Sequence, residues 1–466
     1  MVTHSADAAH PAVRRRRSAL DLVVETGPER RFLTRRMVAA VGLYLLFALT
    51  FASFAVNNDG LVYYNFLRRF LGEDVATAYA SQFAGSFFNM PFYLGAKVVE
   101  AITGVSSLFG ASIEEFSIGV ASNAALVLTL YLGWRMLTEL DLPAGPAVLL
   151  LTLFGSPLLY YTAFQPAYKH AVDALFVTLL AYLVLTVSDR REPGQRLLIA
   201  VGATLGFLVV VRYANVALAV LALVPLLLRR RGRDAALLSL AALAAVGVLL
   251  ALPPLRGMEL SRAQQDAAPV QAAGLGDWII GKLCADEPVQ VNLEQCLHNT
   301  TGIFVDPLVP LKMLLTVERG LFLWTPLTAL AVIGFALLFR SRPDRRPFLA
   351  ALAAGAVALV CIHALWSDFW TGGFSFSQRF LSSLFPLFLL GTAELIRRRR
   401  GLALAALGAS ALFSTLVAFT IFFGYEGQSE QDGLDTVLEL YVDGERTPHG
   451  LARTAGVRAL ERWGLR

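Results

Sequence analysis

Stretches of roughly twenty apolar residues, separated by short arginine blocks, recur about ten times along this chain and limit what it can fold into more than any other feature. A helix needs about that many residues to cross ~30 Å of hydrocarbon. The runs do not alternate polar with apolar positions, which excludes a membrane β-barrel. With 56% hydrophobic and 16% charged residues over 466 positions, and a mean hydropathy of +0.59, the chain carries more apolar surface than a water-soluble core can hide. The expected fold is all-α, a polytopic membrane helix bundle.

The formal charge of +5 does not mark a nucleic-acid binder, because the arginines sit in blocks between apolar runs, where a membrane surface accounts for them. Residues 1–36 hold eight arginines and no apolar segment long enough for a signal peptide, and are expected to be a disordered cytoplasmic tail. No small-residue cleavage site follows residues 37–56, which read as an uncleaved first span. Further spans are expected at 116–134, 146–160, 170–188, 197–211, 213–228, 234–254, 321–339, 347–366, 380–396 and 401–423, eleven in all. That threading puts 24 of the 40 lysines and arginines on the inner side in the tail and short loops. Residues 197–228 are too short for two full spans, and a hairpin with Arg212 and Asn215 at its outer tip is preferred to one long tilted helix with Arg212 buried.

The two long outer loops are 57–115 and 255–320. Within the first, 71–83 and 90–108 read as short helices lying on the membrane surface. Residues 424–466, with Leu451, Val457, Leu460 and Trp463 set against Arg453, Arg458 and Arg462, read as an outer amphipathic tail, so residues 37–423 make up the bundle. Cys284 and Cys296 share the second loop, where a disulfide can form in an oxidising compartment, and Cys361 is expected to be packed within a span. No repeat of fixed period is visible.

The candidate chemistry begins with Asp59 in "NNDGLVYY", beside Tyr63 and Tyr64. Asp59 reads either as a stop and turn after the first span or as a general base at the rim of a low-dielectric cavity. Lys169, His170, Arg212, Lys312, Arg319 and Arg379 fall where loops meet span ends on the same outer side, against the positive-inside trend. Singly each can snorkel to lipid headgroups; together they suit the phosphate of an anionic lipid, with arginine as a bidentate fork and lysine as a point charge. The stretch "ALWSDFWTGGFSFSQRFLSSLFPLF" adds Trp366, Asp368, Trp370, Gly372 and Gly373: aromatic faces for a sugar or prenyl chain, and a tight loop that lets backbone approach a ligand. Asp368 is either a second acid or an arginine's partner.

"NNDGLVYY", "ERGLFLWTPLTALAVIGF" and "WTGGFSFSQRFLSSLFPLFLLG" give the chain a resemblance to the GT-C superfamily of membrane glycosyltransferases that use polyprenyl-phosphate sugars. The layout resembles the family over nearly the whole chain, and the motifs over about a tenth of it. The resemblance implies an inverting transferase that moves a sugar from a polyprenyl-phosphate donor to a glycan, lipid or protein acceptor hydroxyl on the non-cytoplasmic face of a bacterial plasma membrane, in cell-envelope assembly. It implies that Asp59 is the base and that Arg319 and Arg379 lie near the lipid phosphate. Where many members carry two adjacent acids, this chain has Asn58 before Asp59, so a divalent metal cofactor is possible but not favoured; a lone carboxylate is a poor cage for a hard cation. Glu73 and Asp74 can supply a second acid, although surface solvation explains them as well. Rival readings are a ligase or polymerase of lipid-linked glycans, a lipid or glycan transporter, and an acyltransferase centred on His363. The "NTT" at Asn299 is discounted as a glycosylation acceptor, because the composition is that of a GC-rich bacterium.

Overall fold

The computed structural model describes residues 32–56, 58–73, 75, 83–190, 192–251, 307–365 and 376–424, with Leu434, Val457 and Leu460; of Asn58, Asp59 and Gly424 it describes the backbone alone. The tail 1–31, Cys284, Cys296, Asp74, Trp366, Asp368, Trp370, Gly372, Gly373 and nearly all of the C-terminal tail lie outside the described residues.

Helix α1 (Arg35–Phe51) starts where the Thr34 hydroxyl accepts the Met37 amide. Ala52 leaves the helix in an extended conformation, and α2 (Asn58–Phe70) follows, so Asp59 opens a helix rather than ending one. Next comes α3 (Ala84–Thr103), which is longer and starts earlier than the surface helix expected at 90–108. A two-residue hairpin, β1 (Ser107–Leu108) against β2 (Ala111–Ser112), leads into α4 (Ile113–Glu139), whose first turn is closed by a Ser112–Glu115 capping box. Then follow α5 (Pro146–Phe154), a π-helical turn (Tyr160–Phe164), α6 (His170–Asp189) and α7 (Gln195–Val211). Gly155 caps α5 and Pro157 cannot donate to a continuing helix, so the span expected at 146–160 is a short helix and a separate turn.

A 3-10 turn (Tyr213–Leu218) runs into α8 (Ala219–Leu228), and α9 (Gly232–Leu250) follows. Beyond the second loop come α10 (Val309–Leu315), α11 (Leu321–Trp324), α12 (Pro326–Ser341), α13 (Arg346–Ala364), a 3-10 turn (Arg379–Leu384), α14 (Phe385–Arg398) and α15 (Arg400–Gly424). Among the described residues six helical segments are long and apolar enough to cross a membrane: Ile113–Glu139, His170–Asp189, Gly232–Leu250, Pro343–Ala364, Arg379–Arg398 and Arg400–Phe423. Gln195–Val211, Tyr213–Leu228 and Pro326–Ser341 are apolar but shorter. The protein is thus an all-α bundle with the helices of a multi-pass membrane protein.

Small residues let these helices touch backbone to backbone. A side chain at Gly334 or Gly391 would strike the opposite helix where α12 crosses α14, and Gly202 and Gly206 serve α7 in the same way against α9. The segment from Arg379 to Arg398 is almost wholly enclosed by its neighbours and forms the bundle's axis.

Reversal of direction from helix to helix gathers the arginine blocks at one end, where carboxylates and carbonyls pair with them. Arg345 pairs with Asp189, Arg342 donates to the Asp141 carbonyl, and the buried Glu394 carboxylate accepts from Arg397, Arg398 and Ser341. An open cleft of about 730 Å³ at this end is lined by Asp189, Arg190, Glu192, Arg229, Arg231 and Asp234, and its Arg231 and Asp234 are already joined as an ion pair. His170 begins α6 at the opposite end, about 30 Å away along a helix of 20 residues.

Candidate functional site

Three helix starts meet at that opposite end. A methyl group on Gly60 would lie 2.9 Å from the Ala167 side chain, so the first turn of α2 sits directly on the loop that carries Lys169 and His170. The start of α3 packs on the same loop: a methyl group on Gly85 would be 3.6 Å from the Lys169 Cβ, and the Ser86 hydroxyl donates to the Tyr63 carbonyl at 3.0 Å. The Lys169 ammonium lies 4.7 Å from the centre of the Tyr63 ring, an attractive arrangement because the ring face is electron-rich. Asp59 occupies the position one turn before Tyr63, on the same face of α2. Its side chain lies outside the described residues.

Next to this junction is a buried polar node. Arg212 and Asp173, 3% and 0% exposed, form an ion pair at 3.2 Å. Asn215 donates to the other Asp173 oxygen at 2.7 Å and to the Leu208 carbonyl at 3.1 Å. Arg212 also donates to the Phe380 carbonyl at 3.1 Å and lies 3.2 Å from His170 Nδ1, which the Ser382 hydroxyl approaches to 3.3 Å. Arg212 and Asn215, expected at an outer hairpin tip, are therefore buried side chains of the bundle. Arg212 leaves the helical conformation at φ −157°, the following 3-10 turn folds inward, and a guanidinium withdrawn from water is held by a carboxylate.

Phe380 links the node to the remaining cations. The Arg212 and Arg379 guanidinium groups lie 5.2 and 5.1 Å from its ring centre, and the His363 ring stacks on it at 4.8 Å. Arg379 is 7% exposed and His363 fully buried. Arg212, Arg379, Lys169 and His363 are all close enough to act electrostatically on the His170 ring. Of the predicted site residues, Lys169, Arg212 and Arg379 thus converge around His170. Among the described residues no group of three or more His, Cys, Asp or Glu side chains is placed to hold a metal ion.

Arg319 joins the same region through aromatic rings. It is 2% exposed, lies 4.8 Å from the Trp324 ring centre and donates to the Glu318 carbonyl. Trp324 meets Phe376 edge-on at 5.8 Å, the Phe376 amide donates to the Tyr161 hydroxyl at 3.1 Å, and the Tyr161 ring is 4.3 Å from that of His170. Lys312 is half-buried on α10, which packs against α11 and against α13, the helix that carries His363. Leu434 donates its amide to the Val317 carbonyl, which ties one point of the C-terminal segment to the loop before Arg319.

Tyr64 and Tyr63 do not share a site. Successive residues point about 100° apart on a helix, and Tyr64 faces a different group of side chains. It packs edge-on against Tyr93 and lies under Arg68, beside a clamp in which the Glu73 carboxylate accepts from the Tyr93 hydroxyl at 2.5 Å and pairs with Arg68 and Lys97 at 2.7 and 3.1 Å. Burial raises the acid's pKa, but the hydrogen bonds from Tyr93, Arg68 and Lys97 outweigh it and bring Glu73 down to about 2. Glu73 is therefore not simply solvated; it pins the end of α2 to α3.

Sequence reasoning missed Asp173, Gln378, Phe380 and Ser382. The signal for Asp173 was present in "KHAVDAL", a carboxylate three residues after His170 on one face of an apolar helix. Gln378 is fully buried, and among the described residues neither its side-chain amide nitrogen nor its side-chain oxygen has a hydrogen-bond partner. It adjoins Ser377, itself buried, whose backbone is left-handed at φ 52°. Compared with protein-family models, with curated proteins and with solved structures, the chain matches none.

Proposed function

We propose that the protein is an integral membrane glycosyltransferase that moves a sugar from a polyprenyl-phosphate donor to an acceptor hydroxyl, at the membrane face opposite its arginine-rich end. One observation carries this reading: the cations Lys169, Arg212 and Arg379, from three separate stretches of sequence, meet around His170 at the end of an apolar bundle beside the helix turn that holds Asp59. Cations withdrawn from water in a membrane protein favour an anionic ligand, and planar guanidinium groups match phosphate oxygens in pairs. Arg212 is engaged by Asp173, His170 and the Phe380 carbonyl, so its part is to brace the turn that presents Arg379.

In this reading the acceptor hydroxyl gives its proton to the Asp59 carboxylate as its oxygen attacks the anomeric carbon. The bond from that carbon to the phosphate oxygen breaks with its electron pair going to the lipid phosphate, and the anomeric configuration inverts. Lys169, Arg319 and Arg379 offset the charge that grows on the leaving phosphate. The arginine blocks support a cytoplasmic N-terminus and an outward-facing site in a plasma membrane.

The test is transfer by the purified protein in liposomes loaded with polyprenyl-phosphate monosaccharides. Asp59→Asn is expected to abolish transfer and leave thermal unfolding and lipid binding unchanged; full activity in that variant overturns the role of Asp59. Movement of the lipid across the bilayer without sugar transfer overturns the transferase reading in favour of a transporter.

A further inference from the structure

We propose that Gln378 reads hydroxyl groups of the donor's sugar, next to the arginine that meets its phosphate; this rests on the donor reading above. The carboxamide of Gln378 is fully buried, and among the described residues neither its donor nor its acceptor has a partner. Buried amides are almost always hydrogen-bonded, so an orphan of this kind calls for a partner that the described residues do not supply.

The orphan does not come from a loose backbone. On one side the Phe376 amide is fixed by the Tyr161 hydroxyl, and on the other the Gln378 carbonyl accepts the Leu381 amide at 3.0 Å while Arg212 holds the Phe380 carbonyl. Between these anchors Ser377 is kept left-handed at φ 52°, a conformation that a residue with a side chain adopts only where its surroundings impose it. The turn thus delivers two consecutive side chains of different character, Gln378 and Arg379, from a fixed and strained backbone.

Their chemistry separates the ligand's parts. An ionised phosphate only accepts hydrogen bonds, so it suits Arg379 and leaves the Gln378 carbonyl oxygen unmatched. A prenyl chain satisfies neither amide atom. A hydroxyl both donates and accepts, and two neighbouring hydroxyls on a sugar ring meet the N–H and C=O of one carboxamide together. A monosaccharide joined to phosphate therefore fits the pair, and Gln378 determines whether the glycosylated lipid is preferred to the bare one.

The experiment is equilibrium binding to the full chain in nanodiscs, with decaprenol, decaprenyl phosphate and the glucosyl, galactosyl, mannosyl and arabinosyl esters of decaprenyl phosphate as probes. The wild type is expected to bind at least one ester more tightly than decaprenyl phosphate. Gln378→Met, similar in shape and without the amide, should lose that preference by about tenfold, the worth of roughly one good hydrogen bond, and keep the wild-type affinity for decaprenyl phosphate. Its melting temperature should be unchanged or higher, because a buried unpaired amide has been removed. A variant that melts lower and keeps the preference shows the amide to be satisfied by structural water, and overturns the proposal. A variant that loses affinity for ester and bare lipid alike overturns it too, as does a wild type that binds all the phosphate lipids equally. Those results leave the donor reading standing, whereas a wild type that binds decaprenyl phosphate no better than decaprenol removes both.

Discussion

Asp173 and Arg212 face each other at 3.2 Å inside the bundle, one from the first turn of α6 and the other from the break after α7. Removing one member leaves the other as an uncompensated buried charge. Asp173→Ala is expected to destabilise the protein by about 3–5 kcal/mol. Exchanging both members for apolar residues, Asp173→Leu with Arg212→Met, should be milder than the single change, because no lone charge remains. Thermal unfolding of the two variants in detergent decides; a double variant worse than Asp173→Ala means that the pair is not the source of the stability.

Gly60 controls how closely Asp59 approaches the Lys169 loop. A valine there would overlap Ala167 and is expected to cost about 1–3 kcal/mol by overpacking. Transfer should fall far more than stability, since α2 must shift off the loop. Gly42, with nothing within 4 Å of its added methyl, is the control, and Gly42→Ala should leave transfer at the wild-type rate.

The face of the Tyr63 ring lies 4.7 Å from the Lys169 ammonium. Tyr63→Leu is expected to forfeit about 0.5–2 kcal/mol of that attraction and to weaken binding of an anionic lipid headgroup. Tyr63→Phe keeps the ring and should keep most of the affinity. Flotation with vesicles containing decaprenyl phosphate compares the two; equal loss in both would exclude the ring face as the reason.

Glu73 lies outside the candidate spans and makes a pH-dependent clamp. Its folded-state pKa, about 2, is below the ordinary 4.5, so its contribution to stability is fully present above pH 4.5 and is lost as the pH falls towards 2. Hydrogen exchange in α2 is expected to rise over that window in the wild type. In Glu73→Gln the same helix should exchange faster at neutral pH, and this clamp's step over the window should be missing. A step of wild-type size in Glu73→Gln would assign it to another group.

The helices were legible because apolar runs of span length announce themselves locally, and the grouping of Lys169, His170, Arg212 and Arg379 followed from their positions at the ends of those runs. Depth was not legible. Arg212 at a presumed tip and Arg212 against Asp173 are the same letters, and only the folding of the 3-10 turn onto α6 distinguishes them. The neighbours Tyr63 and Tyr64 look equivalent in sequence, yet the pitch of α2 sends one to Lys169 and the other to the Glu73 clamp. Gln378 offered no signal at all, because its meaning lies in what does not surround it.

The segment from Arg379 to Arg398 is enclosed along its length and tied at its far end through Glu394. Arg379 cannot slide toward an arriving anion without dragging that whole rod through its sheath. Its guanidinium is therefore poised in advance, and discrimination falls to shape and to the route inward rather than to a clasp that shuts afterwards.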